Sequence, residues 1–175
     1  MAAELDELRR LVRDIEDYPE PGVTFRDITP LLGNGRAFAT AVDYLVLAYD
    51  AEQIDRIVGV ESRGFIFAAA LAYRFRSAFV PVRKAGKLPW AVAREEYELE
   101  YGTDKLEIHR DAIHPGEQIL IVDDVLATGG TAAATSRLVE TLGGTVVGLA
   151  FVIELTDLDG RSRLGERSVT SLLRY

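Results

Sequence analysis

A chain of 175 residues, 48% of them hydrophobic, can bury one full core and is short for two ordinary domains. Its formal charge of −8 argues against non-specific attachment to nucleic acid or anionic lipid, and the lack of cysteine excludes disulfides and thiolate metal sites, as suits a reducing, cytoplasmic setting. No apolar run reaches the roughly 18 residues of a membrane span, and the opening Met-Ala-Ala-Glu-Leu-Asp is charged where a secretory signal is apolar, so neither a membrane nor a nucleic acid is expected as partner.

Residues 4–16 place Leu5, Leu8, Leu11, Val12 and Ile15 on one helical face, which predicts an N-terminal helix. Pro19, Pro21 and Gly22 break it and open an irregular stretch, Pro21-Gly-Val-Thr-Phe-Arg-Asp-Ile-Thr-Pro30. A second amphipathic helix is expected over about residues 36–49, with Phe38, Val42, Leu45, Val46 and Tyr49 turned inward. The chain then alternates. Strands are expected at 56–60, 78–82, 118–122, 145–154 and 168–173, with an Ala-rich helix at 65–75 and another at 131–142. Continuous apolar strands separated by helices indicate an α/β fold, a mostly parallel sheet flanked by helices.

Two features interrupt this rhythm. Residues 96–109 alternate polar and apolar around Gly102-Thr103-Asp104, the pattern of an inserted, partly exposed antiparallel β-hairpin. Arg83, Lys84 and Lys87 fall within five positions, just after a predicted strand. A local basic loop in an acidic chain suits a phosphate-bearing small molecule, although a solvated turn has the same composition. No repeat or linker divides the chain. A single domain over 1–175 is expected: an N-terminal helix and loop over about 1–35, and a core over about 36–175 with the hairpin at 95–109.

The segment richest in chemistry is Ile119-Leu-Ile-Val-Asp-Asp-Val-Leu-Ala-Thr-Gly-Gly-Thr131. An apolar strand ends in adjacent carboxylates, and a turn with two glycines leads into a helix. Glycines permit close backbone approach and positive φ, so successive N–H groups can converge on one anion. The helix adds the positive end of its dipole, and Thr128 and Thr131 add hydroxyl donors. No Walker lysine follows, so a nucleotide hydrolase is a poor reading. Beside a phosphate, Asp123 and Asp124 need another task, such as accepting from vicinal sugar hydroxyls or holding water on Mg²⁺. A ribose 5-phosphate offers both features.

The stretch Val122-Asp-Asp-Val-Leu-Ala-Thr-Gly-Gly-Thr131 resembles the 5-phosphoribosyl 1-diphosphate signature of the type I phosphoribosyltransferases, and most closely the adenine-specific family within them. Pro21-Gly-Val-Thr-Phe-Arg-Asp-Ile-Thr-Pro30, Glu61-Ser-Arg-Gly-Phe65, Arg83-Lys-Ala-Gly-Lys-Leu-Pro89 and Leu99-Glu-Tyr-Gly102 resemble further family segments, in family order. The similarity spans roughly residues 15–155.

The resemblance implies purine salvage: adenine and 5-phosphoribosyl 1-diphosphate give AMP and pyrophosphate, with Mg²⁺ carried mainly by the substrate rather than by protein ligands. It implies that Asp123 and Asp124 hold the ribose, while Ala127, Thr128, Gly129, Gly130 and Thr131 hold its 5-phosphate. Ser62 and Arg63, with Arg83, Lys84 and Lys87, are implied to hold pyrophosphate; Ala85 departs from relatives that carry a basic residue or proline there. The purine is implied to meet Val23, Thr24, Phe25 and Arg26, in a small N-terminal base-binding hood. Glu100 is implied as the catalytic acid or base, with Tyr101 near the reacting centre. By periodicity alone Glu96, Glu98, Glu100 and Glu107 are equivalent. The family further implies a homodimer.

Two other functions were weighed. A transferase for hypoxanthine, guanine or xanthine would keep this fold, but the Leu99-Glu-Tyr-Gly102 and Phe25-Arg26-Asp27 segments favour adenine. A non-catalytic regulator would need a nucleic-acid surface, and the acidic chain has no helix-turn-helix pattern ahead of its first core strand. His109 and His114 have no evident third ligand and read as surface residues.

Overall fold

The computed structural model describes residues 2–50, 52–98 and 103–175. The chain divides into two compact units, Met1–Tyr44 and Leu45–Tyr175.

In the first unit, helix α1 (Ala2–Arg10) stops sooner than its apolar periodicity predicts. Tight turns close it, with Leu11 N–H donating to Leu8 O at 3.0 Å and Val12 N–H to Arg9 O at 3.1 Å. Strand β1 (Arg13–Ile15) then pairs antiparallel with β2 (Phe25–Asp27). The predicted helix over 4–16 therefore overruns: backbone pairing across a Pro/Gly turn claims residues 13–15, and periodicity does not see such a partner. Asp17 fastens that turn by accepting the Gly22 N–H at 2.7 Å. Short helix α2 (Thr29–Leu32) carries Pro30 in its first turn, where the missing N–H has no helical partner to lose. Helix α3 (Gly35–Ala48) matches its expected span and starts where Asn34 Oδ1 accepts the Ala37 N–H at 3.1 Å.

The second unit is built on a seven-stranded sheet. Its strands are β3 (Arg56–Val60), β4 (Ala78–Lys84), β5 (Val92–Glu98), β6 (Thr103–His109), β7 (Gln118–Leu126), β8 (Thr145–Glu154) and β9 (Val169–Arg174). They lie in the order β5-β6-β4-β3-β7-β8-β9. The pairs β4–β3, β3–β7, β7–β8 and β8–β9 are parallel, whereas β5–β6 is an antiparallel hairpin joined to the sheet edge along β4. Helices α4 (Gly64–Phe75) and α5 (Gly130–Thr141) follow β3 and β7. The core is mainly apolar: Val58, Leu120, Ile121, Leu149 and Val152 are fully buried. Among the described residues, no helix is long and apolar enough to cross a membrane.

Two strands outrun their predicted ends, and both extensions carry chemistry. Strand β4 continues through Arg83 and Lys84 because these pair with Glu107 and Leu106 of β6. Strand β7 continues through Asp123 and Asp124 to Leu126 because β8 runs beside it, with Asp123 opposite Phe151 and Leu126 opposite Glu154. On its other side the pairing with β3 ends at Gly59 opposite Val122. The twin aspartates thus stand on a strand that projects past its neighbour.

Helix α4 approaches β3 closely at Gly59, where a Cβ would lie 2.7 Å from both Ala68 Cβ and Phe79 Cε2. Gly59→Ala is expected to cost about 1–3 kcal/mol through overpacking and to lower the thermal midpoint by several degrees; a melt no lower than the parent's would refute this close fit.

Candidate active site

The glycine turn is held from both sides. Gly129 adopts φ +80, a conformation that favours glycine, and α5 begins immediately after it with no side-chain cap hydrogen bond. The first-turn N–H groups and the helix dipole are therefore available to an anion. A cavity of about 70 Å³ is lined by residues 125–132 together with Asp123 and Phe151. Behind the turn lies Gly160, in a 3-10 segment, so close to the Ala127 carbonyl that no side chain would fit. The neighbouring Arg161 fastens that segment, donating to Glu154 at 2.5 and 2.8 Å and to Val169 O at 3.0 Å. Nothing in the sequence around Gly160 marks it as a backstop, since the turn it supports is some thirty positions earlier.

Asp124 is buried and Asp123 half-buried. The Asp124 N–H donates to Asp123 Oδ1 at 2.9 Å. Burial, and after it the charge of Asp124, pushes the Asp123 carboxyl well above the usual carboxylate range. Asp124 is paired with Arg63 Nε. Gly64 brings α4 against this pair: a Cβ there would lie 2.7 Å from Asp123 Oδ1. Arg63, expected at a diphosphate, is found in an ion pair with Asp124. Ser62 is exposed and follows a cis peptide bond from Glu61.

Glu61 received no role from the sequence, yet it organises the basic loop. Its carboxylate accepts from Arg83 Nε at 3.0 Å, from the Lys84 N–H at 3.2 Å and from Lys87 Nζ. Arg83 also reaches Lys87 O at 3.3 Å. Burial alone would raise the Glu61 carboxyl, but the hydrogen bonds from Lys87, Arg83 and the Lys84 N–H outweigh it and hold the group below its ordinary range. Lys84 points elsewhere, to Asp104 Oδ2 at 3.2 Å, and this contact raises its ammonium above the usual value.

The hairpin separates the candidate acids. Glu107 is 1% exposed and accepts from Arg94 Nε and from the Gly86 N–H, each at 2.8 Å, so it braces the basic loop from within the sheet. Glu96 lies on the surface, 3.0 Å from Lys105, whose hydrogen bond leads the effects lowering its carboxyl. Glu100 and Tyr101 lie outside the described residues, as does the side chain of Glu98. Tyr97, unmarked in the sequence, is buried beside the glycine turn, its hydroxyl 3.4 Å from Thr131 Oγ1.

In the first unit, Val23 and Thr24 are exposed. Phe25 is half-buried and meets Tyr18 edge-on with ring centroids 5.4 Å apart, while Arg26 pairs with Asp14 across the β1–β2 ladder. His114 is exposed and His109 half-buried, and among the described residues no group of three or more His, Cys, Asp or Glu converges as a metal site.

Known proteins resemble this chain in sequence and fold. A family model of the phosphoribosyl transferase domain matches residues 31–171. An adenine phosphoribosyltransferase of Chloroflexus aurantiacus is 57% identical over 169 residues, covering 97% of this chain and 98% of the relative. The crystal structure of adenine phosphoribosyltransferase from Rhodothermus marinus superposes with a TM-score of 0.96 at 50% identity, covering 100% of each chain. That from Saccharomyces cerevisiae, complexed with an imino-altritol bisphosphate and adenine, gives a TM-score of 0.93 at 42% identity over 99% of this chain and 100% of that one.

The lowered Glu61 carboxyl sets a pH dependence. A group depressed in the folded state stabilises fully above its unfolded value, near 4.5, and that stabilisation is lost as pH falls through the folded value. Glu61→Gln should therefore be less stable than the parent at neutral pH by on the order of 1 kcal/mol, since half-exposed partners are screened by solvent. The gap in melting temperature should shrink as pH drops below about 4.5; a gap constant with pH would show that the ion pairs do not supply it.

Proposed function

The chain belongs to the phosphoribosyl transferase family, and we propose that its site serves purine salvage, passing the 5-phosphoribosyl group from 5-phosphoribosyl 1-diphosphate to adenine and releasing AMP and pyrophosphate. The observation that carries this reading is the uncapped glycine turn, with a cavity beside it and two aspartates on the projecting end of β7. A turn of N–H groups suits a dianionic 5-phosphate, and neighbouring carboxylates suit hydroxyl donors.

In this reading Ala127, Thr128, Gly129, Gly130 and Thr131 take the 5-phosphate, and Asp123 and Asp124 accept from the ribose hydroxyls. Ser62, Arg63, Arg83, Lys84 and Lys87 take the diphosphate. The cations begin paired with Asp124, Glu61 and Asp104, and the diphosphate competes for them as negative charge builds on its departing oxygen. For the base we assign Val23, Thr24, Phe25 and Arg26, with backbone groups reading the purine edge. The bond from the ribose anomeric carbon to the diphosphate oxygen breaks as a bond to the purine nitrogen forms. The proton on the purine's imidazole ring passes to Glu100, with Tyr101 beside the reacting centre.

Magnesium fits as a passenger of the substrate. The adjacent Asp123 and Asp124 suit contact with the ion through water. Bound in that way, the ion would neutralise charge on the diphosphate. We further read the chain as one catalytic domain that works in the cytoplasm as a homodimer; the exposed Leu47, Tyr73 and Trp90 offer apolar surface for a second copy to cover.

A base panel tests the substrate. With 5-phosphoribosyl 1-diphosphate and Mg²⁺, nucleotide should form from adenine and not from hypoxanthine, guanine or xanthine; product from hypoxanthine with none from adenine rejects the assignment. Glu100→Gln tests the proton transfer and should lower kcat by about 100-fold, while KM for either substrate changes far less. Undiminished turnover would shift the role to Glu98.

A further inference from the structure

The side chain of Tyr97 lies in the core between the hairpin and α5, 8% exposed, with only its hydroxyl to satisfy. Thr131 Oγ1 donates to that hydroxyl at 3.4 Å, and the hydroxyl donates to Asp104 Oδ2 at 3.5 Å. Asp104 is already served by the Lys105 N–H at 2.8 Å and Lys84 Nζ at 3.2 Å. Among the described residues the Thr131 hydroxyl has no partner besides Tyr97. Both tyrosine contacts exceed the ~2.7–2.8 Å of a strong O–H···O bond, so they are weak and open to exchange. Burial, ahead of the Asp104 charge, raises the phenol further, so the proton stays on the oxygen at neutral pH.

We propose that Tyr97 is a positioning residue for the 5-phosphate, acting through Thr131. When a phosphate enters the turn, Thr131 rotates its proton onto a phosphate oxygen and exposes a lone pair to Tyr97. The tyrosine then reverses, giving its proton to Thr131 instead of Asp104. Asp104 can release it because Lys84 and the Lys105 N–H remain. The bound chain runs from Tyr97 to Thr131 to phosphate, each link polarising the next and fixing the threonine rotamer. This inference rests on the reading of residues 127–131 as the phosphate turn.

Three variants test it: Tyr97→Phe, which removes only the hydroxyl, Thr131→Val, and the two combined. Tyr97→Phe should weaken ribose 5-phosphate binding in calorimetry by about fivefold, the size of one neutral hydrogen bond. KM for 5-phosphoribosyl 1-diphosphate should rise in step, with kcat, KM for adenine and the unliganded melting temperature little changed. In the Thr131→Val background the tyrosine substitution should add no further loss. An equal loss in that background, or a lowered melt with both substrates affected alike, makes Tyr97 a packing residue and overturns the proposal. Parent protein that binds ribose 5-phosphate no better than Tyr97→Phe overturns it too while leaving the phosphate turn intact. Parent protein that does not bind ribose 5-phosphate at all removes the phosphate turn and this inference with it.

Discussion

The edge of this sheet gathers like charges that would push one another apart if each stood alone. Neighbouring cations repel one another, and so do two adjacent aspartates. The chain answers by pairing all four cations with carboxylates: Arg63 has Asp124, Arg83 and Lys87 share Glu61, and Lys84 has Asp104. A negative protein can afford this arrangement, because it has 28 acidic against 20 basic side chains to draw on. Positive charge is thereby stored at the site without a positive field over the whole surface.

That storage fixes how ligand binding must work. Under the proposed function, a diphosphate arriving at Arg83 or Lys87 would meet cations already paired and oriented, and would replace one anion by another. The net gain is the difference between two ion pairs rather than the whole of one, so such a site trades affinity for position. The same logic applies to the aspartates. Asp123 sits above the usual carboxylate range through burial and then through its neighbour. Hydroxyl donors or a cation brought near the pair would relieve that unfavourable charge, which gives the sugar a better welcome than an isolated pair of solvated carboxylates would.

The parts of this design differ in how readable they are from the sequence. Contiguous features are plain: the apolar strand running into Asp123 and Asp124, the glycines at 129 and 130, and the helix that follows need only local rules. Strand ends are less plain, because pairing decides them. β7 runs to Leu126 on account of β8, β4 to Lys84 on account of β6, and α1 stops at Arg10 while β2 claims residues 13–15. Least readable are contacts between distant positions. Glu61 lies 22 positions from Arg83 and Tyr97 lies 34 from Thr131, and a lone glutamate or tyrosine in either place has many ordinary uses.

Glycines sharpen the distinction. Gly129 is legible because a positive φ is a local demand, visible from its place between a strand and a helix. Gly64 and Gly160 are required for another reason: Asp123 and the Ala127 carbonyl stand where their side chains would be. Both therefore set the shape of the turn from outside it, and neither has a side chain to donate, accept or carry charge. The glycine-turn end of the site is thus shaped by close backbone approach, which leaves little room to adjust. The basic-loop end, in contrast, is shaped by ion pairs on half-exposed side chains. A substrate anchored at the stiff end and negotiated at the soft end can keep its sugar fixed while its leaving group departs.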